Sequence, residues 1–350
     1  MVGQTRSQVG SRHRLTIELA LNPFSSILGQ PQAIEFLTRA LAADRLPHGL
    51  LFAGPRGVGK RTAALSLASI FLCKDPSNPE QLAATTRHVY ANTHADFHLV
   101  TRDLARVHDK TGKSKAVDFS ITVVRKEIVE PASRKSSLGV GKVFLAREVE
   151  TMNAGAQNAM LKTLEEPHGR ALIVLTTDSP GSLLSTIKSR CQLVTFGNLS
   201  PGDCVSIVKS KLPQIDERSV TFATNLSGGS PGLAIDFIQR GLLNTAVELF
   251  RLLDSGTAGE LQSFLKAAMD DYAKREVEKD EFASEDNARR TGLQMLLRLA
   301  ADHIRAKIPD SGNLGECDQI DAIARTEKYL DMQVNLALLL QQLSVAMTSR

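Results

Sequence analysis

The chain has only four cysteines in 350 residues, Cys73, Cys191, Cys204 and Cys317, and no C-x-x-C pair. That spacing argues against a zinc site and against a disulfide framework, and it fits a reducing cytoplasm. Long apolar runs are missing too. None approaches the ~18–20 residues that a membrane span needs, so no membrane partner is expected. The opening stretch MVGQTRSQVGSRHRLTIELALNPF is basic, but Glu18 interrupts its short apolar part and no small-residue cleavage site follows. Residues 1–21 are therefore expected to form an N-terminal extension and not a secretory signal. Aromatic residues make up 5% of the chain. The span 102–142 carries ten Lys/Arg against five acids but no aromatic interleaving, so base stacking on single strands is not indicated.

What is present is ordinary globular material, 42% hydrophobic and 23% charged, with room for two or three domains. The net charge of +4 is unevenly spread. Residues before Ala246 carry 29 Lys/Arg against 20 Asp/Glu; from Ala246 onward there are 13 against 18. A basic front and an acidic back suit a protein that touches an anionic polymer with one part only, although solvated charge is the usual explanation of such a pattern.

Periodicity predicts a helix over 31–45 and then alternating strands and helices across 45–196. The strand segments are HGLLFAG, DFHLV, GKVFLAR, ALIVLTT and CQLVTF. The helices include KRTAALSLASIFLC, ITVVRKEIVEPAS up to Pro131, NAGAQNAMLKTLEEP and SLLSTIKSR. Such alternation implies a parallel sheet covered on both faces. Past Phe196 the pattern turns helical throughout, broken at SGGSPG (227–232) and KIPDSGNLGECDQ (307–319). The expected fold is α/β plus all-α: a P-loop domain over 22–197, a small helical lid over 198–240 and a helical block over 241–350.

The central motif is GPRGVGKRTAA, entered from an apolar strand and continuing into a helix. Gly54, Gly57 and Gly59 let backbone N–H groups turn toward a phosphate, and Lys60 would reach its outer oxygens. The next residue should supply a hydroxyl to Mg²⁺, yet it is Arg61, a permanent cation. Thr62 cannot take over, because one residue further along a helix points about 100° away. The second metal position fails in the same way. A buried strand running into Asp-Glu normally holds the ion; here KVFLAREVE puts Arg147 at the Asp position and keeps Glu148. Arg61 and Arg147 are expected to point into one volume. They would either cluster with Glu148 and close the pocket or leave a metal-free anion site, and in both cases Mg²⁺ should not strengthen nucleotide binding.

Over about residues 22–235 the sequence resembles bacterial clamp-loader subunits of the AAA+ class. The likeness rests on NPFSSILGQPQAIEFLTRAL, RLPHGLLFAGPRGVGK, THADFHLV, MLKTLEEP, LTTDSP, TIKSRCQLVTF and GGSPGLA. Within that family the chain is most similar to the largely rigid subunit that need not hydrolyse ATP. The resemblance implies a helical collar over 241–350 that joins loader subunits, the last domain of a three-domain AAA+ chain. It implies a hetero-oligomer with motor subunits and a delta-like subunit, acting on primed DNA and, indirectly, on a sliding clamp.

The resemblance also assigns Arg190, in the motif Ser189-Arg190-Cys191, as an arginine offered in trans to a neighbour's ATP. The plain alternative is a structural salt bridge; Cys191 reads as a core residue. Thr176 and Thr177 lie where the family senses nucleotide. Leu233 replaces the arginine of the usual lid motif, and only Cys73 remains near the place of a family zinc module, so no zinc is expected. With Arg61, Arg147 and Leu233 altered, no cofactor is expected to be required, ATP or ADP binding is expected to be weak or absent, and the chain is expected to be no enzyme by itself but an accessory subunit of a polymerase holoenzyme. Two other readings stay open: an ATP-hydrolysing motor subunit with unusual metal chemistry, and a AAA+ protein turned to another partner.

Overall fold

The computed structural model describes residues 24–108, 119–255, 257–279, 284–311, 314–332 and 334–348. The N-terminal extension expected over 1–21, and Lys110, Lys113 and Lys115 of the basic span, lie outside them. Two compact units emerge. The first takes in the described residues through Ile207 together with Gly229–Gly232; the second holds Val208–Gly228 and the described residues from Leu233.

The first unit is built on five parallel strands: β1 Gly49–Ala53, β2 Phe97–Val100, β3 Lys142–Ala146, β4 Ala171–Thr177 and β5 Gln192–Thr195. Their order across the sheet is β2-β3-β4-β1-β5. Every residue of β1, β3 and β4 is buried, which is why these segments read as continuous apolar runs without alternation. The register pairs Leu51 with Leu175 on one side of β1 and with Leu193 on the other, and Phe144 of β3 with Ile173 of β4. One core cluster joins Leu51, Phe144, Ile173 and Leu175 to Val123, Ile128, Met160 and Leu164 from the covering helices. Fully burying each such side chain contributes about 1.5–3 kcal/mol.

Helix α1 (Pro31–Ala42) precedes β1, and α2 (Lys60–Leu72) leaves the loop that follows it. A helix not expected from the sequence, α3 (Pro79–Tyr90), fills the connection to β2. Its start signal was nonetheless present: Asn78 Oδ1 accepts from the N–H groups of Glu80 (3.0 Å) and Gln81 (3.2 Å), with Pro79 at the first helical position. Helix α4 (Leu104–His108) then follows β2.

Helix α5 (121–133) runs two residues past Pro131, where the sequence suggested that it would stop. Residues Arg125–Val129 adopt a π-helical turn immediately upstream. The wider turn makes room for the proline ring and leaves its missing N–H without cost, so the chain closes one more turn before ending. Helix α6 (Ala154–Glu165), capped by Asn153 Oδ1 on the Ala156 N–H at 2.9 Å, leads to β4, and the short α7 (Ser185–Lys188) leads to β5.

The second unit is all helical. Its long elements are α8 (Leu242–Ser255), α9 (Ala258–Lys279), α10 (Glu285–Ser311), α11 (Leu314–Asp331) and α12 (Leu336–Thr348). A single apolar cluster runs through it from Leu233 and Phe237 to Leu249, Leu265, Leu296 and Leu343, with Phe222 and Leu226 packed against it. No helix among the described residues is long and apolar enough to cross a membrane.

Candidate functional site

The glycine loop leaves β1 at the carboxyl edge of the sheet, where Arg147 follows the last residue of β3 and β4 ends in Thr177. This is where open parallel sheets bind ligands. Glycine is demanded at Gly54: φ is +149°, and a Cβ there would lie 2.0 Å from the Phe196 carbonyl oxygen. Gly57 and Gly59 also take positive φ, +79° and +105°.

The carbonyl side of the loop is pinned residue by residue. Lys60 Nζ donates to the carbonyl oxygens of Gly54 and Pro55 (2.7 Å). Ser230 Oγ donates to Arg56 O at 2.6 Å, and the Gly232 N–H to Gly57 O at 3.0 Å. Gln30, which is buried, donates from Nε2 to Val58 O (3.1 Å) and Gly197 O (2.7 Å) and accepts from the Gly197 N–H (3.0 Å). With these planes fixed, the N–H groups of Gly57, Val58 and Gly59 have no protein acceptor among the described residues. The loop has kept the shape of a phosphate cradle.

Its cation is engaged elsewhere. Lys60 is buried, and its third donor direction goes to Asp178 Oδ1 at 2.6 Å, just beyond the end of β4. Asp178 belongs to LTTDSP, but nothing in the sequence marks it as the partner of the loop lysine, because the two stand 118 residues apart. Thr177 is buried, and its Oγ1 accepts the Ser179 N–H at 3.1 Å. Glu150 was missed as well. Burial holds its carboxyl above the usual range, with Asp178 pushing the same way, and its Oε2 is buried without a hydrogen-bond partner among the described residues.

Arg61 and Arg147 do approach one another. Burial and then repulsion from Arg147 lower the proton affinity of the Arg61 guanidinium. Glu148, held with φ +56° at the end of β3, serves Arg147 at 3.8 Å and also Arg102, beyond β2, at 3.7 Å. Arg61 has no ion pair among the described residues. Glu148 thus lies between two arginines, Arg147 and Arg102. A cleft of about 520 Å³ elsewhere on the unit, lined by Phe24, Ile27, Gln30 and Ile34 among others, is formed by none of these arginines.

Arg190 follows α7 and binds Glu165 at the end of α6, through Nε at 2.6 Å and through Nη2, while Nη1 reaches Thr186 O at 3.0 Å and Ser189 Oγ at 3.4 Å. About a third of the Arg190 side chain remains exposed. Cys191 is buried and desolvation pushes its thiol up to about 12, so it is a core residue and not a nucleophile. Cys73 is also buried. Leu233 is buried in the core of the helical unit.

Among the cations of 102–142, Arg125, Lys126, Arg134 and Lys135 are exposed, but Lys142 is not available to DNA. It opens the buried strand β3, and its ammonium donates to the carbonyl oxygens of Pro131 and Arg134.

Residues 29–200 match the family model described as "DNA polymerase III, delta subunit". DNA polymerase III subunit delta' of Bacillus subtilis is 34% identical over 173 residues, 49% of this chain and 49% of that protein. Subunit delta' of Pseudomonas aeruginosa is 33% identical over 188 residues, 53% of each chain. Subunit tau of Bacillus subtilis is 27% identical over 223 residues, covering 63% of this chain and 38% of that protein. The chain thus spans about half the length of the delta' relatives it matches. A phosphate loop at the edge of a parallel sheet, the motifs LKTLEEP and SRC, and these matches agree: over residues 29–200, just under half of its length, the chain is similar to delta-type subunits of DNA polymerase III.

Proposed function

We infer that this protein is a non-hydrolysing, delta-prime-like subunit of a DNA polymerase III clamp loader, assisting the placement of a ring-shaped clamp on primed DNA. One observation carries the reading: at the two positions that should hold Mg²⁺ stand Arg61 and Arg147, and the charge of Arg147 is felt at Arg61. An ion entering there would meet like charge in place of a hydroxyl and a carboxylate. The loop lysine is already neutralised by Asp178, so a γ-phosphate would have to displace an internal carboxylate. On this reading the chain needs neither nucleotide nor zinc, and it works through gamma/tau-type motor subunits and a delta-type subunit.

Arg190 fits a contribution in trans. It is partly exposed, its ion pair with Glu165 is open to water, and a guanidinium at a neighbour's γ-phosphate would stabilise the charge of the transferring group. The test is reconstitution. The isolated chain should show no ATP turnover with Mg²⁺ and primed DNA, and it should co-elute with motor subunits and raise their clamp-loading activity. Turnover by the chain alone would overturn the proposal.

A further inference from the structure

The cleft of about 520 Å³ on the first unit opens beside Phe24, the first described residue. Phe24, Ile27, Leu28 and Pro31 form its wall up to Ile34 and Thr38 on α1. Helix α1 buries Ala33 and Leu37 beneath it, whereas Ile34 and Thr38, one position further on, are only half-buried and line the cleft. Leu28 is 40% exposed. Glu35 and Arg39 at the rim pair with each other one turn apart, so the charge there is already balanced. Among the described residues, no part of the glycine loop, 54–60, lines this cleft.

The sequence that runs into Phe24 supplies an occupant. It reads Leu15-Thr16-Ile17-Glu18-Leu19-Ala20-Leu21, with apolar residues at alternate places. In an extended chain that alternation puts Leu15, Ile17, Leu19 and Leu21 on one side. Asn22-Pro23, a dipeptide that marks turns, stands directly before Phe24. Seven extended residues span about 23–25 Å, against a rise of about 12 Å along α1 from Pro31 to Arg39, so the reach is sufficient. We propose that the cleft is the seat of residues 15–21 of this same chain, their apolar side covering Leu28 and Ile34. A segment tethered so close has an effective concentration in the mM range and escapes the cost of bimolecular association. It therefore outcompetes a second copy or a separate protein that makes equal contacts. Seated there, it braces the turn over 24–30, whose last residue, Gln30, donates from Nε2 to Val58 O of the glycine loop at 3.1 Å.

The chain has no tryptophan, so one introduced indole reports on its own surroundings. The experiment is fluorescence of the full chain carrying Leu19→Trp or Ile17→Trp on the apolar side, or Glu18→Trp on the other. At 17 or 19 the indole should emit at shorter wavelength than in urea and resist quenching by acrylamide, and at 18 it should be quenched freely. Adding Leu28→Asp should lower the ratio of seated to free segment about tenfold or more, since an apolar contact is lost and a charge is set beneath the segment. A melting temperature within a few degrees of the parent shows that the fold is intact, Leu28 being partly exposed. Equal quenching at all three positions, or protection that Leu28→Asp does not alter, would overturn the seat. So would protection that appears only as protein concentration rises and the mass by light scattering doubles, because the occupant would then be a second copy. The readout comes from the single chain and is independent of the loader assignment, which is read on the complex.

Discussion

Arg190 is held by a contact that it must release in order to act elsewhere. Its pair with Glu165 is about one-third to one-half exposed, and such pairs contribute about 0–1 kcal/mol. Arg190→Ala should therefore leave the melting curve and subunit association nearly unchanged. If the side chain serves a neighbour's ATP, the loss at that one catalytic site should be large, since such arginines are worth about 10³–10⁵ in rate. Total loader ATPase should drop by that site's share, and an unaltered rate would leave Arg190 with Glu165 alone. Glu150 gives a second prediction at this scale. Its carboxyl is held above the ordinary value of 4.5, chiefly by burial, so the folded state retains a proton that the unfolded chain has lost. Its contribution is full below the unfolded value and falls as pH rises through the folded one. Denaturant titrations should show Glu150→Gln overtaking the wild type in relative stability as pH climbs from about 4 to 7. A difference independent of pH would mean that the buried oxygen is solvated.

At the scale of elements, the loop between β1 and α2 is fixed by what surrounds it. Gly54 lies against the backbone of Phe196, at the end of β5, where neither partner can retreat without breaking the Phe196 N–H to Ala53 O hydrogen bond of 2.8 Å. Gly54→Ala should therefore cost about 3 kcal/mol or more of stability in urea unfolding, through backbone strain and displacement. A cost under about 1 kcal/mol would show that the strand ends are looser than described. In α5 the π-turn at Arg125–Val129 stands directly before the turn that holds Pro131, and the helix runs on to Ser133.

For the molecule as a whole, the division into units determines how assembly can be tested. Phe222, Leu226, Leu233 and Phe237 share an apolar core with α8 to α12, so ending the chain near Arg240 would strip that core as well as removing the expected collar. Surface changes in the full chain are the cleaner probe. Leu338 and Val345 lie seven residues apart on α12 and are 49% and 55% exposed. If this region joins other loader subunits, the pair Leu338→Asp and Val345→Asp should abolish co-elution with motor subunits and leave the melting temperature within a few degrees. Retained co-elution would move the association surface elsewhere.

Much of this was legible without a structure. Short apolar runs alternating with helical segments pointed to parallel strands, and β1, β3 and β4 are buried throughout. A glycine loop between a buried strand and a helix pointed to a phosphate cradle, and the residue types of Arg61 and Arg147 alone raised the expectation that no metal binds beside it. Local chemistry also gave the start of α3, had Asn78-Pro79-Glu80 been weighed as a cap. What sequence could not supply were the pairings made at long separation: Lys60 with Asp178, Arg190 with Glu165, Gln30 with the loop carbonyls, and Lys142 withdrawn from the basic span into a carbonyl pocket. Each of these depends on which strand ends the sheet order brings together. Charge and hydrogen-bonding capacity are properties of a residue, but the partner that satisfies them is chosen by packing.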